Sequence, residues 1–413
     1  MRIVLTGGAV MSETQLYASS PAEAGLDPAK VAALLDRAQR EVREGLLPSC
    51  QIAIARHGKI GAAAAFGAAV QGGVTKPATN DTLYVAFSCA KGLFSAATWL
   101  LIQDGKLDVT QPVVTYVPEF GTNGKEAVTV EQLFLHVGGF PDAPYAQREW
   151  LDRAARIRRF QSWRLQSPAG KEYVYHATSA HWVMAEIVER LSGMDFREFF
   201  RVRIAEPLGL PNLRMGLPRD QQHRQAQLTY VGAPMTAEEM KQRGINVVMP
   251  TEINEETILG FNKAEVLEAG CPGGGAVVTA DALAMFYQAL VNGGRAPDGK
   301  QVWREDVLRD VLRIRTEGYF DRFLRVQPNR CLGMVVAGGD GKAGVRGFGK
   351  TNSADAFGHN GAGGQVAWAD PATGISFGYC TNGFDRNDVR QGKRVVAISS
   401  MAAVCAAGER EGR

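Results

Sequence analysis

Apolar and polar positions alternate between two periods along the chain, and the period changes mark its elements. "DPAKVAALLDRAQREVREG" (Asp27–Gly45) has helical spacing, an Asp N-cap, Pro at the first helical position and Gly at its end. "CQIAIARHGKIGAAAAFGAA" (50–69) alternates instead, and its break at His57-Gly58 predicts a hairpin. Residues 81–215 return to helical spacing. "GLFSAATWLLIQDG" and "ATSAHWVMAEIVERLSG" each end in Gly. From 216 to 268 no period persists, which predicts long loops with short helices; loops of that length in a compact domain are usually functional or disordered. A helix follows at 279–294, then a second hairpin in "GQVAWADPATGISFGYCTNG" (364–383) turning at Asp370–Gly374, then a closing helix in "DVRQGKRVVAISSMAAVCAAGER".

Strands near both termini flank a helical middle. The economical fold class is α+β: an antiparallel sheet flanked by helices, built from residues 1–80 plus 270–413, with a mainly helical domain inserted at 81–269. The 413-residue chain can bury a sizeable core, and its 45% hydrophobic and 22% charged composition is globular. A net charge of +3 over this length makes no electrostatic case for nucleic acid or a membrane surface. No run of 18 apolar residues predicts a membrane span. The start, "MRIVLTGGAVMSETQ", has too short an apolar run for a signal peptide, and Met11 is a second candidate start that would make residues 1–10 dispensable. Six scattered cysteines without C-x-x-C or zinc spacing fit free thiols in a reduced, cytoplasmic setting.

The chemistry concentrates in "YVAFSCAKGLFSAATWLL" (84–101). Ser88 and Lys91 lie three residues apart at a predicted helix start, so Lys91 can reach the Ser88 hydroxyl. A serine needs such a base or a strong field to act as a nucleophile, and a helix N-terminus adds positive potential. S-x-x-K alone recurs by chance, and a serine there is more often a cap. Two features favour catalysis: Lys91 interrupts an otherwise apolar helix, where a charge is costly, and Gly92 leaves room beside it. Cys89 points about 100° away on the helix and reads as core. "GISFG" (374–378) matches the G-x-S-x-G nucleophile elbow, but Ser376 sits inside an alternating strand with no helix after it, so that reading is set aside.

With S-x-x-K in place, the chain resembles the serine β-lactamases and penicillin-binding proteins, in particular the class C-like branch that holds family VIII carboxylesterases. "LIQDGKLDVTQPVVTYVPEF", "VTVEQLFLHVGGFPDAP", "AHWVMAEIVERLSG" and "GGGAVVTADALAMFYQALVNGG" are similar to that branch's segments and follow its order over most of residues 25–405. The resemblance implies a second group, the Tyr of Y-x-N. It falls on Tyr175 in "VYHATSAHW", with Tyr173 as the alternative if the register is two residues off. Beside Lys91, Tyr175 would take the Ser88 proton and return it to the leaving group. The Asn of Y-x-N is Ala177 here; in the family that Asn contacts the amide of β-lactams and peptides, so its loss disfavours them.

The third family motif, K-T-G, is absent. Lys350-Thr351-Asn352 lies in a Gly-rich loop, and the register selects His359-Asn360-Gly361 instead. The resemblance then implies substrate binding by His359, Asn360 and Gly361, with His359 bonding substrate or Tyr175. It also implies an oxyanion hole from the backbone N–H groups of Ser88 and Ala362. His136 and His176 read as structural, with His176 a candidate to line the pocket. The expected function is a serine carboxylesterase working on short-chain, small-molecule esters through an acyl-enzyme on Ser88, without metal or cofactor. The alternatives are a β-lactamase, a D-amino-acid peptidase or an acyltransferase on the same fold, or a non-catalytic scaffold. Oligomeric state is not legible.

Overall fold

The computed structural model describes residues 16–145, 149–242 and 254–408. The N-terminal ten residues and Met11 lie outside them. Helix α1 (Pro28–Arg43) starts as expected: the Asp27 carboxylate accepts from the Ala29 and Lys30 N–H groups, and Pro28 opens the helix. Strands β1 (Ser49–Arg56) and β2 (Lys59–Gln71) form the first hairpin. Its two-residue turn is left-handed at both His57 (φ 54°) and Gly58 (φ 80°), which matches the twist of the flanking strands. A short β3 (Val74–Pro77) pairs with β2 at the sheet edge.

After β4 (Tyr84–Val85) the chain enters α2 (Cys89–Gln103), whose residues from Cys89 to Leu101 are all buried. Such a helix has no polar face and must sit at the centre of the molecule. Helices α3 (Arg153–Ser162) and α4 (Ser179–Ser192) follow, with Gly193 (φ 72°) closing α4. The stretch with no clear period holds only short pieces among its described residues, including β5 (Leu213–Met215) just before it, β6 (Thr229–Val231) and helical turns at Ala237–Gln242, Glu255–Leu259 and Ala264–Ala269.

The chain then supplies β7 (Ala276–Val278), α5 (Ala280–Val291), β8 (Val335–Val336), β9 (Phe357–Asn360), β10 (Val366–Asp370), β11 (Ile375–Thr381), β12 (Gly383–Asp385) and α6 (Asp388–Ala403). The main sheet has the order β3-β2-β1-β11-β10-β9-β8, and every neighbouring pair is antiparallel. The two predicted hairpins therefore meet at its centre, with Cys50 opposite Thr381 and Ala55 opposite Ser376.

Alternation in β1 sends Ile52 and Ile54 to one face and Ala53 and Ala55 to the other. The first face packs with Leu34 of α1, Trp368, Phe377 and Ile398 of α6. The second packs against α5, where Gly378 is required: a Cβ there would lie 2.3 Å from the Ala280 carbonyl oxygen. A small antiparallel sheet, β4-β7-β5, sits at the entry to α2.

Helices α3 and α4 are joined by charge. Glu186 of α4 has no exposed side-chain surface and accepts from Arg153 and Arg190 at 2.7 Å each, while Arg156 reaches Glu189 at 2.7 Å. Glu186→Ala removes the acceptor and leaves part-buried guanidinium groups facing one another. Removing one partner of a fully buried pair costs about 3–5 kcal/mol, and solvent access at Arg153 brings the expected loss here to about 2–3 kcal/mol. A lower urea midpoint, with ester turnover per folded molecule unchanged, is the expected outcome.

Candidate active site

Ser88 sits in the N-cap position of α2 but does not cap it; its side chain makes no hydrogen bond to the first-turn backbone. Phe87 before it holds φ 45°, a left-handed conformation that is strained for a bulky residue and turns the chain sharply from β4 into the helix. The hydroxyl is thereby turned to two other groups. Tyr175 Oη donates to Ser88 Oγ at 3.0 Å, and Lys91 Nζ lies 3.2 Å from the same oxygen. Lys91 is fully buried, and its remaining contacts are the carbonyl oxygens of Ala177 (2.7 Å) and Gly273 (2.6 Å). Those two carbonyls fix the ammonium so that its third direction faces the serine. The side chain lost at Ala177 therefore leaves the main-chain contact to Lys91 in place.

Tyr175 lies in the irregular segment before α4 and is clamped on both sides. The Val174 N–H donates to the His136 carbonyl (3.1 Å), and the His176 N–H donates to His136 Nδ1 (3.2 Å). His136 makes both contacts from a left-handed backbone (φ 59°), and its ring lies 4.6 Å from that of Tyr175. The structural reading of His136 is thus correct, and its job is specific: it holds the tyrosine. His176 does not line a pocket. It is buried, its Nε2 accepts from the Phe140 N–H (3.2 Å) and its Nδ1 faces the Val174 carbonyl (2.7 Å). Tyr173 is turned away; its hydroxyl accepts from Arg330 Nε at 3.1 Å, and burial pushes its phenol up to about 12. The structure thus brings Tyr175, not Tyr173, to the serine.

The end of β9 lies against the start of α2. The Cys89 thiol donates to the His359 carbonyl at 3.1 Å, and burial raises that thiol further from ionisation. At Gly361 a Cβ would stand 2.4 Å from the Ala86 carbonyl oxygen, so only glycine permits this approach. The turn Ala362–Gly364 follows. Among the described residues, neither the Ser88 nor the Ala362 N–H has an acceptor, as two oxyanion donors require.

Two expectations are corrected. His359 does not bond Tyr175, and neither ring nitrogen is free for substrate. Its Nε2 accepts from Arg330 Nη1 (2.9 Å), and its Nδ1–H donates to the Asn360 carbonyl (2.6 Å). Burial, with the Arg330 and Lys91 charges, holds it well below the usual imidazole range, so it is neutral. Asn360 is exposed and its side chain packs over Gly347, so it does not join the site.

The residue that sequence reasoning missed is Arg330. It lies 29 residues before His359 in a stretch without period, and no local motif points to it. Ser376 is buried in β11 with its hydroxyl on Gln288 (3.3 Å), and Lys350 and Thr351 are tied to Ser400 of α6. None of these decoys belongs to the site. Among the described residues no group of three His, Cys, Asp or Glu side chains is arranged to hold a metal ion, and no helix is long and apolar enough to cross a membrane.

The chain belongs to the family described as Beta-lactamase, which it matches over residues 33–400. It is a serine hydrolase of the β-lactamase fold. It is 29% identical to the Esterase/beta-lactamase LipL of Mycobacterium tuberculosis over 333 residues, covering 74% of this chain and 70% of that protein. To Esterase EstB of Burkholderia gladioli it is 28% identical over 304 residues, covering 67% of this chain and 75% of that one. Among solved structures it is similar to a penicillin-binding protein homolog from Caulobacter crescentus, with a TM-score of 0.73 at 27% identity, covering 92% of this chain and 99% of that one.

Proposed function

We propose that the protein is a carboxylesterase that hydrolyses short-chain carboxylic esters through an acyl-enzyme on Ser88. The observation that carries this is the Ser88 hydroxyl held between Tyr175 Oη and Lys91 Nζ at 3.0 and 3.2 Å. Ser88 Oγ attacks the ester carbon. As the Oγ–C bond forms, the Ser88 proton passes to the Tyr175–Lys91 pair, and negative charge on the former carbonyl oxygen meets the Ser88 and Ala362 N–H groups. The same pair returns the proton to the leaving alcohol as its C–O bond breaks. Water then repeats the sequence on the acyl-enzyme and releases the acid. The lysine of K-T-G and the Asn of Y-x-N, which serve β-lactams and peptides in the family, are missing at His359 and Ala177. The name of Esterase EstB supports the same choice, while that of Esterase/beta-lactamase LipL carries both activities.

The test is turnover on p-nitrophenyl esters of increasing chain length, nitrocefin and D-alanyl peptides. Ester turnover that exceeds the other two supports the reading; preferred cleavage of nitrocefin or of the peptides sinks it.

Chain-length selectivity is assigned to an aromatic cluster beside the nucleophile. Phe87 packs edge-on against Phe261 and Phe384, each at 5.1 Å, and Tyr230 lies 5.4 Å from Phe384. Phe261, Tyr230 and the buried Ile258 come from the 216–268 stretch, as does the half-buried Met235; Met249 lies outside the described residues. Phe261→Ala is expected to change the ratio of kcat/KM between butyryl and octanoyl esters by about 10-fold, since one apolar contact is worth roughly 1–3 kcal/mol of discrimination. An unchanged profile with a lower melting temperature would make the cluster purely structural.

A further inference from the structure

Among the described residues, Arg330 is a buried arginine with no carboxylate in ion-pair contact. Its backbone is pinned by its N–H to Thr316 Oγ1 (2.8 Å), and its side chain, in a residue only 7% exposed, runs beneath three rings. Nε donates to Tyr173 Oη (3.1 Å), Nη1 donates to His359 Nε2 (2.9 Å), and Cζ lies 5.2 Å from the Tyr175 ring centre. Its two hydrogen-bond partners, Tyr173 and His359, are uncharged. The other buried arginines differ: Arg346 meets Asp340, Arg156 meets Glu189, and Arg394 meets Glu41 and Asp385. Asp321 is the acid whose field reaches Arg330, and its Oδ1 is taken by the Phe323 and Leu324 N–H groups (2.9 Å each).

Lys91 is in the same condition, with its Nζ among three neutral oxygens and 5.0 Å from the Tyr175 ring centre. Two desolvated cations around one phenol are costly unless negative charge appears there. The other groups near Tyr175 do not supply it. His136 beneath its ring and His359 and His181 nearby are all held neutral, first by burial and then by these same cations.

We propose that Arg330 is a positioning residue for the proton relay: its charge compensates the negative charge that Tyr175 Oη carries during proton transfer. It supplies, from a different part of the chain, a positive charge that His359, standing where K-T-G has its lysine, does not bring. His359 then acts as the neutral acceptor that aims the guanidinium. This inference rests on the reading of Tyr175 as part of the relay. In each half-reaction the proton leaves one oxygen, resides on Tyr175 and is delivered to another, so Oη passes through a charged state once per transfer.

The test is a double-mutant cycle of Arg330→Met with Tyr175→Phe on p-nitrophenyl butyrate and on a p-nitrophenyl ester carrying a free carboxylate. Arg330→Met is expected to lower kcat about 10–100-fold with KM for the neutral ester unchanged, below the roughly 10²–10³-fold of a donor that touches the oxyanion, because Arg330 acts through Tyr175. Arg330→Lys should recover most of that loss. In the Tyr175→Phe background Arg330→Met should cost little more, because the charge it serves is gone. Arg330→Gln keeps hydrogen bonds to Tyr173 and His359 without the charge, and repeats the measurement if the Met variant does not fold.

Equal losses in both backgrounds, or no rescue by Lys, would make Arg330 structural and overturn the proposal. A loss confined to KM for the carboxylate-bearing ester would make it a substrate-anion site instead. Full activity in Arg330→Met with an inactive Tyr175→Phe overturns this inference alone. Full activity in Tyr175→Phe removes the relay reading and this inference with it.

Discussion

Ser88→Ala is expected to abolish measurable ester turnover while leaving the fold intact. The alanine removes only the oxygen on which Tyr175 Oη and Lys91 Nζ converge. The oxyanion donors and the pocket remain, so substrate should still bind, but no acyl-enzyme can form. Intact-mass measurement after brief exposure to a p-nitrophenyl ester or a fluorophosphonate should show one adduct on the parent protein and none on Ser88→Ala. Ser376→Ala is the matched control. Its hydroxyl is buried in β11 and donates to Gln288, with no base in contact among the described residues, so that variant should retain the parent rate and the adduct. Turnover surviving in Ser88→Ala, or an adduct mapped to Ser376, would remove the assigned nucleophile.

The control also shows what a sequence can and cannot supply. The two serines were separable because local period differs around them, helical at Ser88 and alternating at Ser376, and the structure places them in those elements. Lys91 was legible for the same reason, since an i, i+3 pair on a helix is a local fact. Both hairpins, at His57-Gly58 and Asp370–Gly374, and the capped helix α1 were local facts too. Tyr175 needed register with a family, because nothing near it announces that His136, some forty residues earlier, clamps it.

The corrections share a cause. His359 looks like a free ligand in "GHNGAGG", and only the fold brings Arg330 onto its Nε2. Asn360 follows it on the opposite face of β9, where alternation sends it toward Gly347. The Gly273 carbonyl reaches Lys91 across 182 residues of chain and Arg330 reaches His359 across 29, both through tertiary packing and never through a pattern within one element.

Removing the relay itself should be nearly as damaging as removing the nucleophile. Tyr175→Phe keeps the ring in its tilted contact with His136 and deletes only the hydroxyl. The expected loss is about 10²-fold or more in kcat, the usual scale for a positioned general acid or base. Lys91→Ala should cost at least as much. It removes one of the two groups that meet Ser88 Oγ and also orphans the carbonyls of Ala177 and Gly273, so its fold is to be checked by circular dichroism. Lys91→Met, which fills the same buried space without the charge, separates lost chemistry from lost packing. Single-turnover kinetics should show both Tyr175→Phe and Lys91→Met slowed in acylation, the step in which Ser88 must lose its proton. A Tyr175→Phe variant with the parent acylation rate and an inert Lys91→Met would assign proton removal to Lys91 alone. The two carbonyls would then leave its Nζ one direction in which to accept, the one that faces Ser88 Oγ.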